Sequence, residues 1–221
     1  MRVLVLAPHA DDEVLGVGGT IARHVARGDE VYVGILTTGN PAYFSPESVE
    51  KDDCDAREAH RRLGVKKTFF CHDLLAPGMD LAPQYKVTEV IRGWLQEAQP
   101  DLLYIPHRGD IHLDHRLTYQ AALVAARPGY SSVRRILAYE TLSETEWAGP
   151  SHEDAFLPNI FVDISDYLET KHAAMLAYEA QIKQFPNPRS LEGIDALARM
   201  RGSTIQAPAA EAFALIREIV Q

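Results

Sequence analysis

Cysteine is nearly absent from this chain: its 221 residues include two, Cys54 and Cys71. They lie far apart and form no CxxC pair. That excludes a four-thiolate zinc site and argues against a disulfide framework. Basic charge is also short, with 22 Lys and Arg against 31 Asp and Glu and a net charge of −9. A nucleic-acid or anionic-membrane surface needs a basic patch, so no such partner is expected. No apolar run reaches the roughly 18–20 residues that a membrane span requires. No repeat, low-complexity tract or flexible linker is visible, and no leader pattern precedes the strand-like stretch at Arg2. Hydrophobic residues make up 46%, enough for a sizeable core, which excludes disorder. The expectation is one domain, 1–221, cytoplasmic, with a small-molecule partner.

What is present reads as alternating strands and helices. Residues 2–7 form a short continuous apolar run, the pattern of a strand buried on both faces. A helical pattern runs from about Glu13 to Arg27 and stops at Gly28. Further strands are expected at 31–36, 67–71 and 102–105, with helices ending at Leu63 and spanning 87–98. Strands 136–141 and 160–164 follow, then a long helix over 166–184, broken at Pro186, and helices near 190–201 and 209–220. In the last of these, Phe213, Ile216 and Val220 are spaced to share a helical face. The pattern predicts an α/β protein: a Rossmann-like three-layer sandwich, its mostly parallel sheet flanked by helices.

Ligands of such sheets bind beyond the carboxyl ends of the strands. Two loops expected there are dense in ionisable groups: Pro8 to Glu13 after the first strand, and Pro106 to Arg116 after the fourth. The first offers His9, Asp11 and Asp12; the second offers His112, Asp114 and His115. Two histidines and one carboxylate, with room for water, are a catalytic metal set. Zn2+ suits these donors, and so does Fe2+. A lone His-x-x-Asp pair is commonly a capping feature, and Asp11, Asp12 and Glu13 would favour the positive end of a following helix. The convergence of both clusters on one rim favours the metal.

The segment 8–20, Pro-His-Ala-Asp-Asp-Glu-Val-Leu-Gly-Val-Gly-Gly-Thr, resembles the signature of the LmbE-like, or PIG-L, deacetylases. His112-Leu113-Asp114-His115 resembles that family's second motif. Tyr139-Glu140-Thr141, Pro188-Arg189-Ser190, Arg201-Gly202 and Ala210–Phe213 look like its bacterial branch, which includes bacillithiol-pathway deacetylases. Ala10 stands where the family usually has proline. The resemblance implies metal ligands at His9, Asp12 and His115, and a general base at Asp11. It implies that His112 polarises the substrate and that Asp114 orients or tunes a neighbouring histidine. It further implies a homo-oligomer.

The implied reaction removes acetyl from an N-acetylated amino sugar or glycoconjugate. Asp11 activates a metal-bound water, and the oxyanion is stabilised by the metal and a protonated His112. A glucosaminyl-malate type precursor, a cell-surface glycan intermediate and a free N-acetylated sugar are all candidate substrates. Loops 38–50, 73–84 and 142–158 are expected to choose among them. Two alternatives stand beside this: a non-haem Fe(II) oxygenase and a non-catalytic metal- or sugar-binding protein.

Gly16, Gly18 and Gly19 match neither a dinucleotide fingerprint nor a Walker loop, so close packing of helix on sheet is expected. Arg108 and Asp110 would touch substrate or pair with each other. Arg189 and Arg201 would anchor a polar substrate group or form surface pairs, and Glu211 would do likewise or cap the last helix. His24, His60, His72, His152 and His172 show no partner pattern.

Overall fold

The computed structural model describes residues 1–149 and 151–220; Pro150, in the 142–158 loop, and Gln221 lie outside them. The elements in chain order are β1 (Arg2–Ala7), α1 (Asp12–Ala26), β2 (Glu30–Ile35), β3 (Thr38–Gly39), α2 (Pro46–Leu63), β4 (Lys67–Phe70), β5 (Leu75–Ala76), α3 (Gln84–Ala98), β6 (Leu102–Pro106), α4 (Leu113–Ala125), β7 (Arg135–Tyr139), β8 (Ile160–Asp163), α5 (Leu168–Met175), α6 (Leu191–Ser203) and β9 (Ala210–Glu218). Seven strands form one sheet in the order β4-β2-β1-β6-β7-β9-β8. All pairs are parallel except those of β9, which runs antiparallel to β7 and β8. The short β3 and β5 pair separately, in the two loops read from the sequence as 38–50 and 73–84.

β1 shows why the run 2–7 is continuously apolar. Val3, Val5 and Ala7 face a core shared with α1, α2 and α5, while Leu4 and Leu6 face one shared with α3 and α4. Both faces are dry, so both sets must be hydrophobic. The result is the expected three-layer α/β sandwich. Ser45 caps α2, its side chain accepting from the Ser48 N–H, and Pro46 opens the helix without losing a donor. Gly64, with φ 78°, ends it in a left-handed turn.

The α1 glycines pack as expected. A Cβ on Gly16 would collide with the Tyr139 ring, and one on Gly19 would sit 2.7 Å from Ile164. The N–H groups of Gly19 and Thr20 donate to the Glu211 carboxylate at 3.0 and 2.7 Å, and Lys171 Nζ meets the same carboxylate at 2.6 Å. Glu211 therefore ties the end of the first motif to Lys171 and caps no last helix.

Three elements depart from the sequence reading. The expected helix 209–220 is the strand β9. Glu211 meets α1 and Phe213 and Leu215 pack into the core on that side, while Ala214 and Ile216 pack into the core shared with α3 and α4, apart from a register shift opposite Ile136 and Leu137. Because both faces are buried, no polar alternation marked it as a strand, and the helical spacing of Phe213 and Ile216 was coincidental. The expected helix 166–184 is α-helical only from Leu168 to Met175, after a 3-10 turn over Ser165–Tyr167. Beyond it, Ala177 and Tyr178 donate to residues three back, and the turn carries Tyr178 inward, where its hydroxyl donates to Glu13. Finally, α4 begins inside the segment read as a loop to Arg116, so Asp114 and His115 lie in its first turn.

Candidate active site

β1 and β6 are hydrogen-bonded parallel neighbours, so the segments that follow them leave the same edge. This places 8–12 against 107–115. His9, Asp12 and His115 each offer one donor atom, all within 4.8 Å of one another; His9, His112 and Asp114 make a second such group. The structure thus brings these sequence-derived residues together, with Asp11 alongside.

Each donor is aimed by a partner. The backbone N–H of His9 donates to Asp12 Oδ2 at 2.9 Å. His115 Nδ1 lies 2.8 Å from Asp110 Oδ2, and Thr145 donates to the other Asp110 oxygen at 2.6 Å. With Nδ1 engaged, His115 presents Nε2 inward, 3.2 Å from Asp12 Oδ2. Asp110 therefore orients His115. Asp114 lies instead 3.0 Å from His9 Nε2 and 3.8 Å from His112 Nδ1. Its backbone N–H donates to His112 Nδ1 at 3.2 Å. That bond leaves neutral His112 with its proton on Nε2.

Asp11 sits at the start of α1 with φ 117° and ψ −27°, a conformation costly for a non-glycine residue. Several contacts hold it there. Its N–H donates to Glu13 Oε2 at 3.2 Å. Glu13 Oε1 accepts from Tyr178 at 2.6 Å and meets His60 Nε2 at 3.1 Å, while His60 Nδ1 meets Thr68 at 2.7 Å. Arg189 Nη1 donates to Asp11 Oδ2 at 2.6 Å, its Nε donates to Ser143, and its other nitrogen stands 3.5 Å from Glu144. Arg189 is thus neither a surface pair nor a free anchor for substrate. Arg201 forms a two-pronged pair with Glu140, Arg108 donates to the Glu153 carbonyl, and Asp110 serves His115. The sequence reading missed Glu13, His60, Tyr178 and Glu144. For Glu13, the signal was a carboxylate inside the first motif; the others carry none.

The electrostatics follow from burial. Burial pushes the Asp11 carboxyl up to about 8; Arg189 opposes the shift, and Asp12 and Glu13 add to it. Burial also works against charge on His9 and His115, yet neighbouring carboxylates raise them to about 9 and about 10. Burial resists ionisation of Asp12 too, but the His115 and His9 rings hold its carboxyl well below the ordinary range. Burial and the nearby His9 hold His112 below the usual histidine value. These influences favour a neutral His112 ring, whose donor is then Nε2.

A divalent cation fits this donor set. Asp12 Oδ1 and His115 Nε2 are buried atoms without hydrogen-bond partners among the described residues, and both belong to the first donor group. Buried orphans are costly unless something pairs them. A cavity of about 290 Å3 opens beside them, its lining including His9, Asp11, His112, Arg189, Phe44 and Asp52.

A parallel α/β sheet that gathers two imidazoles and a carboxylate at one rim, beside a buried spare carboxylate, has the donor set of a metallohydrolase. The chain belongs to the PIG-L family, whose model, GlcNAc-PI de-N-acetylase, matches residues 4–126. It is 27% identical over 183 residues to the uncharacterized deacetylase YaiS of Escherichia coli K12, covering 80% of this chain and 90% of that one. It is 28% identical over 199 residues to the diacetylchitobiose deacetylase of Thermococcus kodakarensis, covering 83% and 71%. The crystal structure of a conserved protein from Thermus thermophilus superposes with a TM-score of 0.78 at 26% identity, covering 100% of this chain and 97% of that one. None of these likenesses supports the Fe(II) oxygenase alternative.

Proposed function

We propose that this chain is a single-domain, zinc-dependent N-deacetylase of the cytoplasm, acting on the acetamide of an N-acetylated amino sugar. The observation that carries this reading is the His9–Asp12–His115 donor group, with its orphaned buried atoms, next to a buried carboxylate that belongs to no ligand set. When bound there, zinc would polarise the amide oxygen and acidify a water; Fe2+ suits the same donors.

The chain's own residues supply the rest. Asp11 accepts the proton of the attacking water. Its elevated affinity for that proton suits it to hold the proton and return it to the departing amine nitrogen. Arg189 keeps the Asp11 carboxylate oriented and limits how far its proton affinity rises. His112 donates from Nε2 to the oxygen on which negative charge develops, a role that needs no net charge on the ring. Asp114 positions His9 and the His112 loop, and Asp110 positions His115.

The substrate pocket is lined by Asp52, Asp53 and Glu144, while its Arg189 is already committed to Asp11. That lining supports a neutral sugar over a malate-bearing or phosphate-bearing one, in keeping with the diacetylchitobiose named for the Thermococcus relative. The exposed Phe44 ring at the mouth offers an apolar face for a sugar ring.

The test is acetate release from a panel of neutral and anionic N-acetylglucosaminyl compounds, run without oxygen. The expected result is anaerobic turnover of the neutral compounds by the zinc-loaded protein. Sugar binding with no acetate released from any of them would replace the enzyme with a binding protein.

A further inference from the structure

A cavity of about 340 Å3 lies at the other end of the sheet. It opens at the amino ends of β6 and β7, against the second half of α1, away from the rim that holds His9 and His115. Arg23 from α1, Arg27 just past its end, and Arg134 and Arg135 at the entry to β7, line it. Cations near the carboxyl end of a helix have a local explanation in the helix dipole. That covers Arg23 and Arg27 but not Arg135, which arrives from β7. In a chain of net charge −9, the concentration needs a cause.

The nearby acids are largely engaged. Asp29 binds the terminal amine of Met1 and His24, and Asp101 accepts from the backbone of Arg2. Glu218 forms a long ion pair with Arg135, 3.7 Å from Nε, too far for a hydrogen bond. Two wall atoms have no hydrogen-bond partner among the described residues: the hydroxyl of Thr20, a residue 1% exposed, and the buried Nε of Arg135. Burial raises the Tyr104 hydroxyl while Arg135 and Arg23 pull it down, so both guanidinium groups act on the same floor atom. A guanidinium only donates, and a hydroxyl can donate as well, so what is missing is an acceptor. Arginine forks match phosphate oxygens closely. Leu137, Ile160 and Val162 add an apolar wall suited to an organic group.

We propose that this cavity binds a small phosphate monoester. Arg23, Arg135 and the Thr20 hydroxyl hold the phosphate, Arg27 and Arg134 screen it at the mouth, and the organic part lies on the apolar wall.

Calorimetric titration of the zinc-loaded protein with inorganic phosphate and with glucose 6-phosphate, at constant ionic strength, tests this. The Asp12→Ala variant is titrated in parallel to remove any binding at the metal centre. The expected result is one saturable site per chain that persists in Asp12→Ala and prefers the sugar phosphate. In the Arg23→Gln/Arg135→Gln double variant the affinity should fall at least about 10-fold. No saturable binding outside the metal centre, or unchanged affinity in the double variant, overturns the proposal. Should the double variant fail to fold, Arg27→Gln decides, because that side chain is exposed. A several-fold loss supports the site, and unchanged affinity rejects it.

Discussion

Arg189 Nη1 and Asp11 Oδ2 are 2.6 Å apart although 178 residues separate them in the chain. The pair joins the turn before α6 to the Asp-Asp pair of the first motif, and it opposes the burial that raises the proton affinity of the proposed base. Replacing Arg189 with Gln removes the opposite charge that holds Asp11 down. Asp11 then binds its proton more tightly. Because the base works deprotonated, the acid limb of the pH–rate profile moves to higher pH. A profile that keeps its acid limb in place would dissociate Arg189 from the base.

Asp11→Asn separates chemistry from metal binding. The variant should retain its metal and lose about 100-fold to 10,000-fold in turnover, as expected when a proton-transfer group is removed. Parent-like turnover would assign the base elsewhere.

His112→Ala tests the neutral-donor role. A loss of about 100-fold in kcat with KM little changed is expected for a group that acts on developing charge. A rise in KM alone would make His112 a substrate-binding residue.

Asp110→Ala frees His115 Nδ1, so the ring loses both its tautomer and its orientation. Metal affinity should weaken about 10-fold to 100-fold, measured by competition with a chelator. Unchanged affinity would show that the first turn of α4 aims His115 without help.

These partners were hidden in different ways. The run 2–7 and the loops after β1 and β6 were legible because a doubly buried strand and a knot of His and Asp each leave a local signature. The rim they share followed from the α/β alternation alone. β9 left none, since its first four residues are buried in succession, with no exposed face to alternate with a buried one. Glu13, His60 and Tyr178 meet across 47 and 165 residues, and nothing local in 178 marks it as the partner of 13. Arg189 stood in a recognisable motif, but its partner is a matter of tertiary geometry. Asp110 was visible in the second loop; its assignment to His115 needed the turn at the start of α4.

His24 offers a pH test away from the site. Burial holds it below the ordinary 6.5, with Arg23 and Arg27 acting in the same direction and Asp29 opposing; its other nitrogen meets the Tyr104 hydroxyl. Between the depressed value and 6.5 the unfolded chain binds more protons than the folded one. Stability therefore rises with pH across that window and is lost as pH falls through it. Urea unfolding at pH 7.5 and 5.5 should show a smaller acid loss in His24→Gln than in the parent. Equal losses would remove His24 as a source of acid sensitivity.

The most direct measurement is acetate release from a neutral N-acetylglucosaminyl substrate by metal-stripped and zinc-restored protein, with metal content determined for the parent and for Asp12→Ala. The account predicts about one metal per chain in the parent, turnover that vanishes on stripping and returns with zinc, and neither in Asp12→Ala. Full turnover by the stripped protein, or a parent that takes up no metal from zinc or Fe2+, would contradict it.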